Sequence, residues 1–345
     1  MKVRVCQPLA VSPVYETAPW GGVEQDDFLN IVVLCSSADA DDPHHAASVV
    51  QPLRTRRVNE VFLPGFEVPR EVEVTGDLGE ALRGADNVLG VMPSAYARAT
   101  YTQMLPYLEP QMVFVSATKG LEASSRERMT QVITQVVERR FPPRVAALSG
   151  PSFAREVARG DPTAIVVAST DRELAASVQE EFSGPTFRLY TNDDVVGVEL
   201  GGAVKNVIAI AAGVCEGLGF GHNTIAALIT RGLAEMTRLA CALGARSETL
   251  AGLAGMGDLV LTCTGALSRN RSVGVELGKG RKLDDIIGSM RMVAEGVGTT
   301  AATVELARKM RVEMPISEQM HAVLYQGRAP RDAIRELMER RLKHE

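Results

Sequence analysis

No Cys-x-x-Cys pair occurs anywhere in the sequence. The five cysteines (Cys6, Cys35, Cys215, Cys241 and Cys263) are odd in number and widely spaced. This argues against a thiolate zinc site and a disulfide framework, and predicts reduced thiols in a cytoplasmic protein. Long apolar runs are missing too. The longest, Val207 to Cys215, is about half of what a membrane span requires, so no membrane insertion is expected. The opening MKVRVCQPLAVSP has no apolar stretch of signal-peptide length. Nor is there an excess of positive charge: the net charge of −5 gives no overall case for nucleic acid or anionic membrane as partner. An anionic metabolite needs a local cationic site instead. His44 and His45 are adjacent, which on a helix makes a poor metal pair, and no metal site is expected. Internal repeats and low-complexity segments are absent.

What is present is ordinary globular composition, 46% hydrophobic and 23% charged over 345 residues, enough for two domains with separate cores. Residues 1 to about 50 differ from the rest. The runs 3–6 and 28–35 (FLNIVVLC) are β-like and flank a loop rich in proline, glycine and acid. From Val72 onward short apolar strands alternate with helices. Strands are predicted at 87–92, 111–116, 144–148, 163–169 and 187–190, and helices at 95–108, 124–140, 153–159 and 172–182. This is the pattern of an α/β domain with a largely parallel sheet. Beyond about Asp193 only helices follow, at 195–217, 224–243, 247–260, 272–277, 283–290, 299–311, 315–325 and 330–341. The expected division is an atypical segment 1–50, an α/β domain 51–192 and an all-α domain 193–345.

Ligands of such sheets bind at loops beyond the strand C-terminal ends, here 92–95, 117–122 and 149–154. In the second loop Lys119 precedes Gly120, which lets the backbone turn. In the third, Gly150 and Ser152 precede a short helix. Each is also an ordinary strand-to-helix turn. In the helical half, Lys205 is a single cation in an apolar helix. Helical side chains lean toward the N-terminus, so it lies over Gly201 and Gly202, where an empty pocket is expected. Two readings are open: a general base in that pocket, or a lysine that snorkels to the surface. Asp258 and Thr262, four apart, share a helix face. Ser268, Arg269 and Asn270 are expected in a turn after that helix, where an arginine between neutral donors suits a phosphate or is simply solvated.

The glycine-rich turn G-x-G-x-x-G that opens a nucleotide-binding sheet has no match in residues 1–60. The one looser match, Gly296-Val297-Gly298-Thr299-Thr300-Ala301, lies in the helical half with no strand before it and is set aside.

In order and spacing, NEVFLPG (59–65), GVMPS (90–94), SATKGLE (116–122), LSGPSFAREVA (148–158), YTNDDVVGVELGGAVKNVIAIAAG (190–213), ITRGLAEMTRL (229–239), GLAGMGDLVLTCT (252–264), SRNR (268–271) and VAEGV (293–297) form one set. From about Pro52 onward the chain resembles the bacterial NAD(P)-dependent glycerol-3-phosphate dehydrogenases. The resemblance implies a Rossmann-like N-terminal domain, NAD or NADP as cofactor, and reversible hydride transfer between sn-glycerol 3-phosphate, a phosphate ester, and dihydroxyacetone phosphate, feeding glycerophospholipid synthesis. It implies Lys205 as proton acceptor. Substrate contacts are implied at Lys119, Gly150, Ser152, Lys205, Asp258, Ser268, Arg269 and Asn270. Cofactor contacts are implied at Lys119, Ala154, Arg269, Val293 and Glu295. A homodimer is the assembly it implies.

The first βαβ unit departs from this pattern. In its place, residues 11–34 resemble an internal fragment of dihydropterin pyrophosphokinase, carried by Tyr15–Thr17 and by Asp27, Phe28, Leu29 and Asn30. The metal-binding aspartates and ATP segment of that enzyme have no counterpart, so a pterin kinase fusion is the remote alternative. A family member deficient in cofactor binding and turnover is the nearer one. Loss of two central strands, exposed sheet edges and weakened cofactor affinity are the expected consequences.

Overall fold

The computed structural model describes residues 2–6, 30–34, 53–60, 63–290 and 293–341. The pterin-enzyme resemblance at 11–29 and the His44–His45 pair lie outside the described residues. The chain divides into two units. One comprises Met1–Lys119 and Glu127–Val195, the other Gly120–Arg126 and Val196–Glu345.

The first unit holds strands β1 (Lys2–Cys6), β2 (Asn30–Leu34), a small antiparallel hairpin β3–β4 (Val58–Asn59, Leu63–Glu67), β5 (Val72–Thr75), β6 (Asn87–Gly90), β7 (Val113–Ser116), β8 (Arg144–Ser149), β9 (Thr163–Ala168) and β10 (Phe187–Asn192). The sheet order is β10-β9-β8-β7-β6-β2-β1-β5. All pairings are parallel except β8 with β9. Its helices include α1 (Leu78–Leu82), α2 (Ser94–Met104), α3 (Met129–Val137), α4 (Ala154–Ala158) and α5 (Arg172–Phe182).

Alternation along the central strands feeds both faces of the sheet. Val88 and Phe114 pack with Tyr101 and Met104 of α2 and with Val132 and Val136 of α3. Leu89 and Val115, one residue on, pack on the other face with Leu174, Val178 and Phe182 of α5. Asp171 caps α5 by accepting from the Leu174 amide at 3.0 Å, which starts that helix one residue after the cap.

The expected loss of two central strands is corrected. β1 and β2 fill interior positions between β5 and β6, parallel to both neighbours. A parallel ladder uses backbone groups alone, and KVRVC and NIVVL are short runs rich in β-branched residues that suit any such position. β2 lies beside β6. The chain leaves β6 toward β7 on one side and leaves β2 toward β5 on the other, so the topological switch point falls between β2 and β6.

The second unit is helical: α6 (Val195–Gly217), α7 (His222–Ala242), α8 (Ser247–Ala251), a π-helical turn (Leu253–Gly257), α9 (Asp258–Thr264), α10 (Arg269–Gly278), α11 (Leu283–Ser289), α12 (Glu295–Met310), α13 (Pro315–Tyr325) and α14 (Pro330–Met338). Helix α6 is long and apolar enough to cross a membrane, yet 89% of its most apolar window is packed inside the protein. It is the core helix, buried without a break from Gly197 to Cys215. Helix α10 crosses it backbone to backbone. A Cβ on Gly274 would overlap Ile210 O and stand 2.8 Å from Val214 N, and one on Gly213 would overlap Arg271 O. Glycines four apart on both helices (Gly213 and Gly217, Gly274 and Gly278) make that approach sterically open.

Three sequence expectations shift here. The helix read as 247–260 is broken by the π turn, so Asp258 opens a separate helix. Ser268, Arg269 and Asn270 form no turn: Ser268 caps α10, accepting from the Arg271 amide at 3.2 Å, and Arg269 and Asn270 are its first two residues. The helix read as 124–140 starts at Met129, because Arg126 at φ 63° interrupts it.

Candidate active site

In the sheet unit, the loops after β7 and β8 bring Lys119, Gly150 and Ser152 together. The Gly150 carbonyl accepts from Lys119 Nζ at 2.7 Å and from Ser152 Oγ at 3.1 Å. Gly150 has φ 143°, and a Cβ there would stand 2.9 Å from Ile165 Cα, so only glycine lets this carbonyl turn toward the lysine. Ala154 is half-buried and opens the five-residue α4.

In the helical unit, Lys205 is 5% exposed, so the snorkelling reading is overturned. Its Nζ donates to Oδ1 of Asp258 and, at 2.7 Å, to Oγ1 of Thr262. The Thr262 hydroxyl in turn donates to the Asp258 carbonyl at 2.6 Å. Asp258 and Thr262 sit at i and i+4 of α9, which puts both on the face that meets α6. The pocket expected at Gly201 is corrected as well. The π turn fills that space: a Cβ on Gly201 would stand 2.5 Å from Ala254 O. The glycine therefore admits the turn that delivers Asp258 to Lys205.

The start of α10 meets the start of α12. Asn270 Oδ1 accepts from the Gly296 amide at 2.9 Å, and a Cβ on Gly296 would crowd both that oxygen and Asn206 O. Gly296, set aside with its decoy motif, is thus a packing glycine at the site. Arg269 is exposed at the start of α10, with protein packed close around its guanidinium. This crowding lowers its pKa from the ordinary arginine value, and the Glu295 carboxylate opposes the shift. Arg271, next but one along α10, is tied to Glu216 at 2.5 Å. Val293 lies just before α12, half-buried.

Every sequence-predicted site residue is thus described, Lys119, Gly150, Ser152 and Ala154 in the sheet unit and the others in the helical unit. Thr262 was legible as a face-mate of Asp258, but its contact with Lys205 was not, since sequence spacing does not reveal which helix that face meets. Among the described residues no group of His, Cys, Asp and Glu could hold a metal ion.

The family model of the NAD-dependent glycerol-3-phosphate dehydrogenase C-terminus matches residues 194–335, and that of the N-terminus matches 40–175. A glycerol-3-phosphate dehydrogenase [NAD(P)+] of Koribacter versatilis is 65% identical over 85% of this chain and 87% of its own length. The chain belongs to the NAD-dependent glycerol-3-phosphate dehydrogenase family. A Citrifermentans bemidjiense glycerol-3-phosphate dehydrogenase [NAD(P)+] is 55% identical over 86% of this chain and 89% of its own length. Among solved structures, the glycerol-3-phosphate dehydrogenase of Coxiella burnetii is 38% identical, covers 90% of this chain and 91% of its own, and has a TM-score of 0.83. The N-terminal model of the glycerol-3-phosphate dehydrogenase family starts at residue 40, so β1 and β2 both precede the matched stretch.

Proposed function

We propose that this chain is a glycerol-3-phosphate dehydrogenase using NAD or NADP. It interconverts sn-glycerol 3-phosphate and dihydroxyacetone phosphate by hydride transfer at C2. The observation that carries this reading is Lys205, a buried ammonium with a carboxylate and a hydroxyl as partners. Oxidising a secondary alcohol requires a base for the hydroxyl proton, and Lys205 is that base once it has given up its own proton and stands as the neutral amine. In the reverse direction its ammonium polarises the carbonyl and gives the proton back. Asp258 and Thr262 orient the amine. Arg269, with Asn270 and Ser268, holds the phosphate. These residues open a ten-residue helix, whose free amides and dipole favour an anion. Lys119, with Gly150 and Ser152, forms the substrate edge of the sheet unit.

Lys119, Ala154, Arg269, Val293 and Glu295 are the residues that would hold the cofactor, which supplies the hydride acceptor or donor at its nicotinamide. The sequence after β2, CSSADADD, has no glycine and three aspartates. It therefore lacks the turn that lets a pyrophosphate approach backbone amides and adds charge of the wrong sign. This supports reduced affinity at the pyrophosphate end, and it is the observation behind the second reading, a member without turnover. We read the pterin-enzyme fragment as carrying no activity of its own. A cytoplasmic homodimer serving glycerophospholipid synthesis completes the proposal.

The test is an initial-rate assay with dihydroxyacetone phosphate and NADH or NADPH, paired with a fluorescence titration of each reduced cofactor. Oxidation that depends on dihydroxyacetone phosphate supports the reading, and its absence at saturating cofactor sinks it. The titration is expected to show binding weaker than micromolar. Micromolar binding means that the replaced segment restores the pyrophosphate site.

A further inference from the structure

The chain passes between its two units three times, after Lys119, after Arg126 and after Val195. The first two crossings bracket Gly120–Arg126, seven residues that lie between β7 and α3 in sequence yet belong with the helical unit. Leu121 is 3% exposed and part of that unit's hydrophobic core. Arg126 stands at φ 63°, a left-handed backbone that is unfavourable for a residue with a side chain. It is held there from two directions. Its amide donates to Glu122 O at 2.7 Å, and its Nε and Nη2 both reach Oε2 of Glu305 on α12. Immediately outside the segment the chain is fastened to the sheet unit instead. Lys119 Nζ donates to Gly150 O, and Glu127 accepts from Arg98 Nη2 at 3.1 Å and from Gln135.

We propose that Gly120–Arg126 is a strap that sets where the Lys119 ammonium stands, with Leu121 and the Arg126–Glu305 pair as its positioning residues. The proposal rests on Lys119 touching substrate. Two residues of chain span roughly 7 Å at most, so seating Leu121 in a packed core leaves the Lys119 backbone little freedom. A lysine has a long flexible stem, and its ammonium is placed well only if the backbone beneath it is fixed. A segment that merely connected β7 to α3 would need neither a core leucine nor an arginine held in a left-handed conformation by an ion pair.

Arg126→Gly keeps the left-handed backbone free of strain while deleting the guanidinium, and Glu305→Gln removes the opposing charge. Each is expected to raise KM for dihydroxyacetone phosphate about two- to fivefold, the range an exposed pair can supply. Tm should be unchanged, and amide hydrogen exchange should accelerate across residues 116–122 alone. The reversed pair Arg126→Glu with Glu305→Arg should recover both readouts. Leu121→Ala should give a larger KM effect than either, and Leu121→Met, which refills the core, should stay near wild type. Unchanged exchange across 116–122 in both single variants overturns the proposal. So does faster exchange throughout the helical unit with a lowered Tm and an unaltered KM. A wild-type chain without turnover refutes the proposed activity separately, and the exchange measurement then decides the strap by itself.

Discussion

Lys205 and Asp258, 53 residues apart in the chain, meet as a buried ion pair whose side chains are 6% and 1% exposed. Removing either partner strands the other charge in an apolar core. Lys205→Met and Asp258→Asn are each expected to lower stability by about 3–5 kcal/mol. The double variant Lys205→Met with Asp258→Asn should cost less than the sum. Turnover should disappear with Lys205. Urea denaturation beside initial rates separates the structural share from the chemical one, and additive losses would show that the two do not act as a pair.

Arg269 is the cation assigned to the phosphate. Arg269→Lys keeps the charge but loses the planar fork that matches a phosphate. KM for dihydroxyacetone phosphate should rise about 10- to 100-fold, the equivalent of ~1.5–3 kcal/mol for a hydrogen bond to a charged group. Steady-state kinetics measure this directly, and an unaltered KM would place the phosphate elsewhere.

Gly274→Ala tests the crossing of α10 over α6. The added carbon would overlap Ile210 O, which is backbone and cannot swing aside. A loss of about 1–3 kcal/mol is expected from overpacking, together with a raised KM, because Arg269 and Asn270 ride on the same helix. Gly288→Ala on α11, where nothing stands within 4 Å, is the control and should be neutral or slightly stabilising. Thermal unfolding of the two variants checks the contrast.

Glu235 is 3% exposed and accepts from the Ile316 amide at 2.6 Å and the Ser317 amide at 3.2 Å, at the start of α13. Burial pushes its carboxyl up from an ordinary 4.5 to about 7, against the lowering effect of those amides and of Arg238. The folded state therefore holds this proton more tightly than the unfolded chain. Its contribution to stability is full below about pH 4.5 and is lost as pH rises through about 7, a change on the order of 3 kcal/mol. Glu235→Gln should flatten the stability profile across that interval. Denaturation midpoints at about pH 5, 6, 7 and 8 give the comparison with wild type.

Much of this was legible in the sequence, and what was not has identifiable causes. The strands from 87 to 190 and the buried helix around Lys205 declare themselves by periodicity, since their burial is set by neighbours a few residues away. The misread places are where local pattern and backbone geometry part. Arg269–Gly278 begins RNRS, with no apolar spacing in its first turn, so the pattern shows a helix only from Ser272 and leaves Ser268, Arg269 and Asn270 reading as a turn. The π turn at Leu253–Gly257 is invisible to a 3.6-residue period. Gly201 reads as an empty pocket beneath Lys205 and is room for another stretch of backbone. At the N-terminus the sequence has no glycine-rich turn. The inference from it to absent strands failed, because ladder pairing needs backbone groups and little else.

The seven residues at 120–126 also decide how this protein can be taken apart. A gene divided between codons 195 and 196 gives a helical fragment with a vacancy where Leu121 belongs, and a sheet fragment carrying an exposed leucine with no core to enter. Neither piece is a self-sufficient domain, although the sequence reads as one domain followed by another. A helical module meant to stand alone has to carry its own copy of that leucine, spliced in from a part of the gene that lies more than seventy codons upstream of the cut.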